Sequence, residues 1–324
     1  MKSLILFLVL VFVVGSAHAQ PGSWQREFPL TDWQTRSIEF DEILSGGPPR
    51  DGIPSIDAPT FRPVDQIEDL GPDEPVLSVE INGDARAYPL RVMTWHEIVN
   101  DTVGGEPVAV TYCPLCNSGI VFERTVDGMV LDFGTTGRLR NSDLVMYDRQ
   151  TETWWQQFLG EGIIGAQTGV RLTMVPARLE SWSLFAERHP GGQVLVPNQT
   201  TGRAYGRNPY VAYDSSVTPF LYRGDYDGPG GALSRVVAVG DQAWLLSALR
   251  ESGSIESGDL VLTWTEGQNS ALDTSRIDQG RDVGNVVVQR RMADGSLQDV
   301  PYDVPFAFAF AAFYPDATIH ATSN

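Results

Sequence analysis

Pro75-Val76-Leu77-Ser78-Val79-Glu80-Ile81, then Asn82-Gly83-Asp84, then Ala85-Arg86-Ala87-Tyr88-Pro89, is the stretch on which the fold reading turns. Apolar–polar alternation on both sides of an Asn-Gly step is a strong hairpin signal, because those two residues enter the left-handed conformations that a tight turn needs. In the run Leu90 to Val99, Leu90, Met93, Trp95 and Ile98 stand at helical spacing, before the breakers Asn100-Asp101 and Gly104-Gly105. Val108-Ala109-Val110-Thr111-Tyr112 is then apolar and β-prone up to Cys113, which predicts a buried strand ending at that residue.

Outward from this stretch, the same order returns. Ser234 to Trp244 resembles the opening hairpin and precedes a short helical run, Leu245 to Arg250. Asp259 to Ala271 parallels Val108 to Gly119 at a constant offset of 152 (265 − 113), so that Asn117-Ser118 falls on Asn269-Ser270 and the cysteines fall on Thr265 and Gln268. A second echo links Trp182–Leu195 with Ala307–His320. Two echoes in one order point to an ancient duplication with a shortened second copy, against the alternative of chance likeness between strand–turn–strand units. The expected fold is therefore β-rich α+β: two degenerate repeats of a strand–helix–strand unit packed as one compact body. Residues 1–19 read as a signal peptide, 20–70 as an extended N-terminal arm rich in Pro, Gly, Asp and Ser, 71–230 as a first repeat lobe, and 231–324 as a second, degenerate one. The first copy holds both cysteines and His96 while the second has neither at the aligned places, so the first is expected to carry the chemistry.

The start of the chain supports export. Lys2 supplies a positive start, Leu4 to Val14 an apolar core and Ala17-His18-Ala19 a cleavage site before Gln20. The expectation is a soluble periplasmic or extracellular protein with no membrane insertion after cleavage. No cysteine follows the cleavage site, which excludes a lipid anchor there, and no later apolar run is long enough to span a bilayer. Lys2 is the sole lysine, so Schiff-base and lysine-base chemistry are excluded from the mature protein. Removing residues 1–19 deletes one cation and no acid, taking the net charge from −18 to −19. That charge argues against nucleic-acid partners and anionic lipid surfaces. Nothing in the chain identifies a protein partner.

Cys113-Pro114-Leu115-Cys116 holds the only two cysteines. Two sulfurs three positions apart form a disulfide, cycle as a redox couple, or clamp a soft metal. In the leading reading Cys113, Cys116 and His96 bind a metal, with Met146 as a weak thioether fourth ligand. The soft sulfur-rich set suits copper, and zinc is the alternative, with Glu97 or Asp148 completing its shell. A thiol–disulfide redox role is the second reading. Against it, Asn117-Ser118-Gly119 followed by Ile120-Val121-Phe122 reads as turn and strand, without the helix N-terminus that lowers a thiol pKa. The third is a non-enzymatic binding module with a structural disulfide. No phosphate loop, GxSxG elbow or HExxH motif occurs, and whether the chain is an enzyme stays open.

Trp95-His96-Glu97-Ile98-Val99-Asn100-Asp101 and Tyr112-Cys113-Pro114-Leu115-Cys116-Asn117-Ser118-Gly119 resemble the DUF3179 family. So do Phe133-Gly134 with Gly137, the block Asn141 to Thr151, and Trp182 to His189-Pro190. The resemblance covers roughly residues 70 to 320. Its name denotes a domain of unknown function, so it implies the identity of the unit and no activity.

Overall fold

The computed structural model describes residues 22–197 and 202–322, so the segment read as a signal peptide lies outside the described residues. Strands take 39% of the described residues and helices 15%, and the sheets adopt a five-bladed β-propeller arrangement. This corrects the α+β expectation of two packed strand–helix–strand repeats. The helices Leu90–His96, Trp182–Arg188, Leu246–Ser252 and Ala307–Phe313 have seven residues each, about two turns, too short to form a layer of their own. Leu90 to Val99 shows why the periodicity misled. Glu97 takes a left-handed φ of 60°, its N–H returns to the Met93 carbonyl, and the chain enters the strand Ile98–Val103. Two helical turns followed by a strand therefore give the spacing of one longer helix.

The opening hairpin forms as its sequence predicts: Pro75–Ile81 pairs with Asp84–Pro89, and Asn82 and Gly83 both have positive φ. The strands Ile98–Val103, Glu106–Cys113, Ser118–Glu123 and Met174–Val175 make a four-stranded antiparallel sheet, the cysteine sheet. Its residues alternate between two separate cores. Ala109, Cys113, Ile120 and Phe122 enter one apolar cluster, while Val108, Val110, Tyr112 and Val121 enter another. A strand covered on both faces has no polar side, which is why 108–113 reads as an unbroken apolar run. Each such aliphatic side chain contributes about 1.5–3 kcal/mol by leaving water, and a charge at Val110 would break the packing.

Beside it stands a five-stranded sheet that runs through Phe133–Arg140, Asp143–Asp148 and Trp154–Gln156. A bulge between Thr135 and Arg138 bends its first long strand. Gly137 sits in the bulge at φ +71°, where a Cβ would run into the Pro48 carbonyl. The segment read as an extended arm packs on this sheet: Trp24, Phe28, Trp33 and Phe40 form an aromatic cluster around Trp154. That segment also holds the helix Gly22–Glu27 and the strands Ile43–Ser45 and Thr60–Pro63.

The two halves share an order of elements. Val236–Val239 and Gln242–Leu245 form a hairpin, Leu246–Ser252 a short helix, and Ser254–Ser257 and Leu260–Thr265 an antiparallel pair. Gln193–Val196 follows the helix Trp182–Arg188 and lies parallel to Asp84–Pro89; Ile319–His320 follows Ala307–Phe313 and lies parallel to Gln242–Leu245. Residues 266–271 of the offset-152 echo lie in a connection, whereas Ser118-Gly119 are paired in a strand, so that echo does not extend to a matched hairpin.

Candidate functional site

Cys113 ends its strand opposite Ser118, and Pro114-Leu115-Cys116-Asn117 turn the chain between them. The Cys116 N–H returns to the Cys113 carbonyl at 3.3 Å and the Asn117 N–H to Pro114 at 3.2 Å. Asn117 adopts a left-handed φ of 51°, a conformation that asparagine tolerates better than most residues. Distant segments fix the turn. The Asn117 amide donates to the Val304 carbonyl at 2.7 Å, the Phe306 N–H donates to Cys116 O at 2.8 Å, and the Gly119 N–H donates to Asp303 Oδ1 at 2.9 Å. Tyr213 Oη donates to the Leu115 carbonyl at 3.0 Å.

Both thiols are free and buried, Cys113 at 2% and Cys116 at 0% exposure. Cys113 Sγ points toward the Ser142 carbonyl, 3.8 Å away. The third member of the group is Asp143, at the start of its strand: one carboxylate oxygen and both sulfurs lie within 4.8 Å of one another. Asp143 Oδ2 accepts from Gln156 Nε2 at 2.6 Å and from the Phe158 N–H at 2.9 Å. Oδ1 is buried without a partner, and among the described residues no arginine or histidine pairs with this carboxylate.

Burial without a cation sets the electrostatics. It pushes the Cys113 thiol up and the Cys116 thiol well up. The Asp143 carboxyl is pushed up to about 7, also chiefly by burial. Glu97 is raised to about 8 by burial and the nearby Asp143 charge, and Asp303 to about 6 by burial. Burial thus favours the protonated form of all three groups in the metal-free cluster.

The structure brings Cys113 and Cys116 together but keeps His96 out of their group. His96 Nδ1 lies 2.8 Å from the Pro54 carbonyl and Nε2 lies 2.8 Å from Tyr205 Oη, so both ring nitrogens are engaged. Met146 is fully buried in the same apolar cluster as the two cysteines, cross-strand from Thr135 and Trp155. Asp148 accepts from Thr151 and from Trp155 Nε1, building the turn after its strand. Sequence reasoning missed Asp143. Its signal was an acid opening the apolar run Leu144-Val145-Met146-Tyr147, easily overlooked in so acidic a chain.

The family model described as a protein of unknown function (DUF3179) matches residues 50–317. The chain belongs to the DUF3179 family. The matched region begins inside the segment read as the arm and contains the whole Cys113–Cys116–Asp143 cluster. No curated protein matches this DUF3179 chain, and no solved structure matches it either. No helix among the described residues is long and apolar enough to cross a membrane.

Proposed function

We propose that this DUF3179 protein binds a soft metal ion, Cu(I) foremost, through Cys113, Cys116 and Asp143, for storage, delivery or electron transfer in an exported setting. The observation that carries this reading is the Asp143 carboxylate, fully buried with one oxygen unpartnered, beside two free thiols. A buried acid without a cation costs several kcal/mol or else stays protonated, and a bound cation offsets that cost. Thiolates are soft donors matched to Cu(I). Cu(I) accepts two or three donors, whereas structural zinc takes four, and this group offers three. Asp143 takes the place that the sequence suggested for His96, and Met146 is the nearest thioether candidate by cluster membership. Export rests on the N-terminal pattern alone.

Thiol–disulfide exchange is the second reading, and Asp143 favours it too, since a carboxyl raised to about 7 is suited to accept a thiol proton. Against it, neither sulfur is open to a partner.

The test is an anaerobic Cu(I) titration against a competing chelator, together with thiol counts before and after denaturation. One Cu(I) per chain, lost in Cys113→Ser, supports the metal reading. Two thiols that titrate on denaturation without any copper bound would move the assignment to redox exchange. Thiols that appear only after denaturation and reduction would make the pair a structural disulfide.

A further inference from the structure

Beside the cysteine turn lies a cavity of about 680 Å³, walled by Leu115, Leu144, Tyr210, Tyr213 and Phe220, with Glu97 contributing a carboxyl group. That volume is in the range of small-molecule sites, and an apolar wall with few polar groups is their usual character. We infer that this cavity binds an organic amine, an aromatic or alkyl body carrying an ammonium group that Glu97 receives.

Glu97 is the observation that points to a ligand. It is 7% exposed and lines the cavity, and among the described residues no donor hydrogen-bonds its carboxylate and no arginine forms an ion pair with it. Arg203 acts on it only through space. Arg138, the one cation in the wall, is already occupied: Nη1 donates to the Thr136 carbonyl at 2.8 Å and Nη2 to Glu27 at 2.7 Å. An anionic ligand would therefore meet a neutralised guanidinium and an acid with no cation of its own, whereas an ammonium group meets that acid alone and draws it into the ionised form that burial otherwise disfavours. Tyr210, Tyr213 and Phe220 put three aromatic side chains in the wall, a residue type that attracts ammonium groups. The rim is apolar as well: Val211 and Phe220, in one segment, line the cavity and are 54% and 57% exposed. An exposed apolar rim around a pocket with one buried polar anchor marks a ligand site. Nothing in this inference depends on a metal at the cysteines.

Calorimetric titration of the purified protein with tryptamine, tryptophol and indole-3-acetate tests it, because the three share a ring and differ in charge. Tryptamine should bind about tenfold or more tightly than tryptophol, the margin of a charge-assisted hydrogen bond, and indole-3-acetate weakest. In Glu97→Gln the preference for tryptamine over tryptophol should vanish. Phe220→Ala, at an exposed position that the fold does not need, should weaken tryptamine several-fold while leaving the melting temperature unchanged. Tryptamine binding no tighter than tryptophol, or a preference that survives Glu97→Gln, overturns the inference. Tryptamine affinity untouched by Phe220→Ala overturns the cavity as its location.

Discussion

Two strand connections occupy corresponding places in the two halves and handle buried charge in opposite ways. In the first half, four residues join Cys113 to Ser118, and beside them Asp143 is buried with only neutral donors, Gln156 and the Phe158 N–H. In the second, residues 266–284 join Thr265 to Asn285, and the buried acid there is Asp214. Asp214 accepts from Ser270 Oγ, pairs with Arg281 at 2.8 Å and faces Arg235 at 3.5 Å. Ser270 stands at the sequence register of Ser118 but lies within the longer connection, where Asp214, reaching it from the segment before the second half, forms a charge-balanced network. At Asp214 the buried acid comes with its cations, whereas Asp143, beside two thiols, has none, so a cation from outside has something to offset there.

The contrast is most exposed at Asp214. Asp214→Asn leaves the buried Arg235 without its acid, while Arg281 keeps Asp273, and should cost about 3 kcal/mol in urea unfolding, whereas Asp143→Asn in the metal-free protein should stay within about 1 kcal/mol. Equal losses at both positions would remove the distinction. Next in size is a pH effect. Glu97, Asp143 and Asp303, at about 8, 7 and 6, keep protons in the folded chain that the unfolded chain has already released. The stability these three acids contribute to the metal-free protein should therefore be complete below their unfolded pKa, near 4, and be lost as pH rises through 6 to 8. Glu97→Gln should remove up to about 1.4 kcal/mol per pH unit of that slope, seen by comparing urea midpoints at pH 5 and pH 8. Smaller in free energy, Asp143→Asn should weaken Cu(I) about 10- to 100-fold in the chelator competition, while Asp214→Asn, where it folds, leaves affinity unchanged. The smallest effect belongs to His96→Ala. It loses two hydrogen bonds and should cost about 1–2 kcal/mol by thermal melting, with Cu(I) affinity the same as wild type.

Local signals were the ones that sequence could supply. The Asn82-Gly83 hairpin and the buried strand into Cys113 depend on neighbours in the chain and are found where alternation and turn residues put them, while the turn expected at Asn117-Ser118-Gly119 lies earlier, at Pro114 to Asn117, with Ser118 and Gly119 already in the strand. The balance of helix to sheet was misread because a seven-residue helix followed by a strand mimics a longer helix. The site divided along the same line. Cys113 and Cys116 share one turn, but Asp143 joins them from another sheet, and no short-range pattern reports that approach. His96 looked like a ligand because it stands close in sequence, yet Pro54 and Tyr205 hold both of its nitrogens.

The cysteine turn is tied to Asp303 and Val304 by hydrogen bonds that reach across 184 and 187 positions of chain. Synthesis runs from the amino end, so a growing chain presents its two thiols long before the segment that clamps them exists. Cargo loading, oxidation or mispairing of those thiols has its widest opportunity in that interval, and a chain stopped before Asp303 would keep its cysteines and lose the frame that holds them.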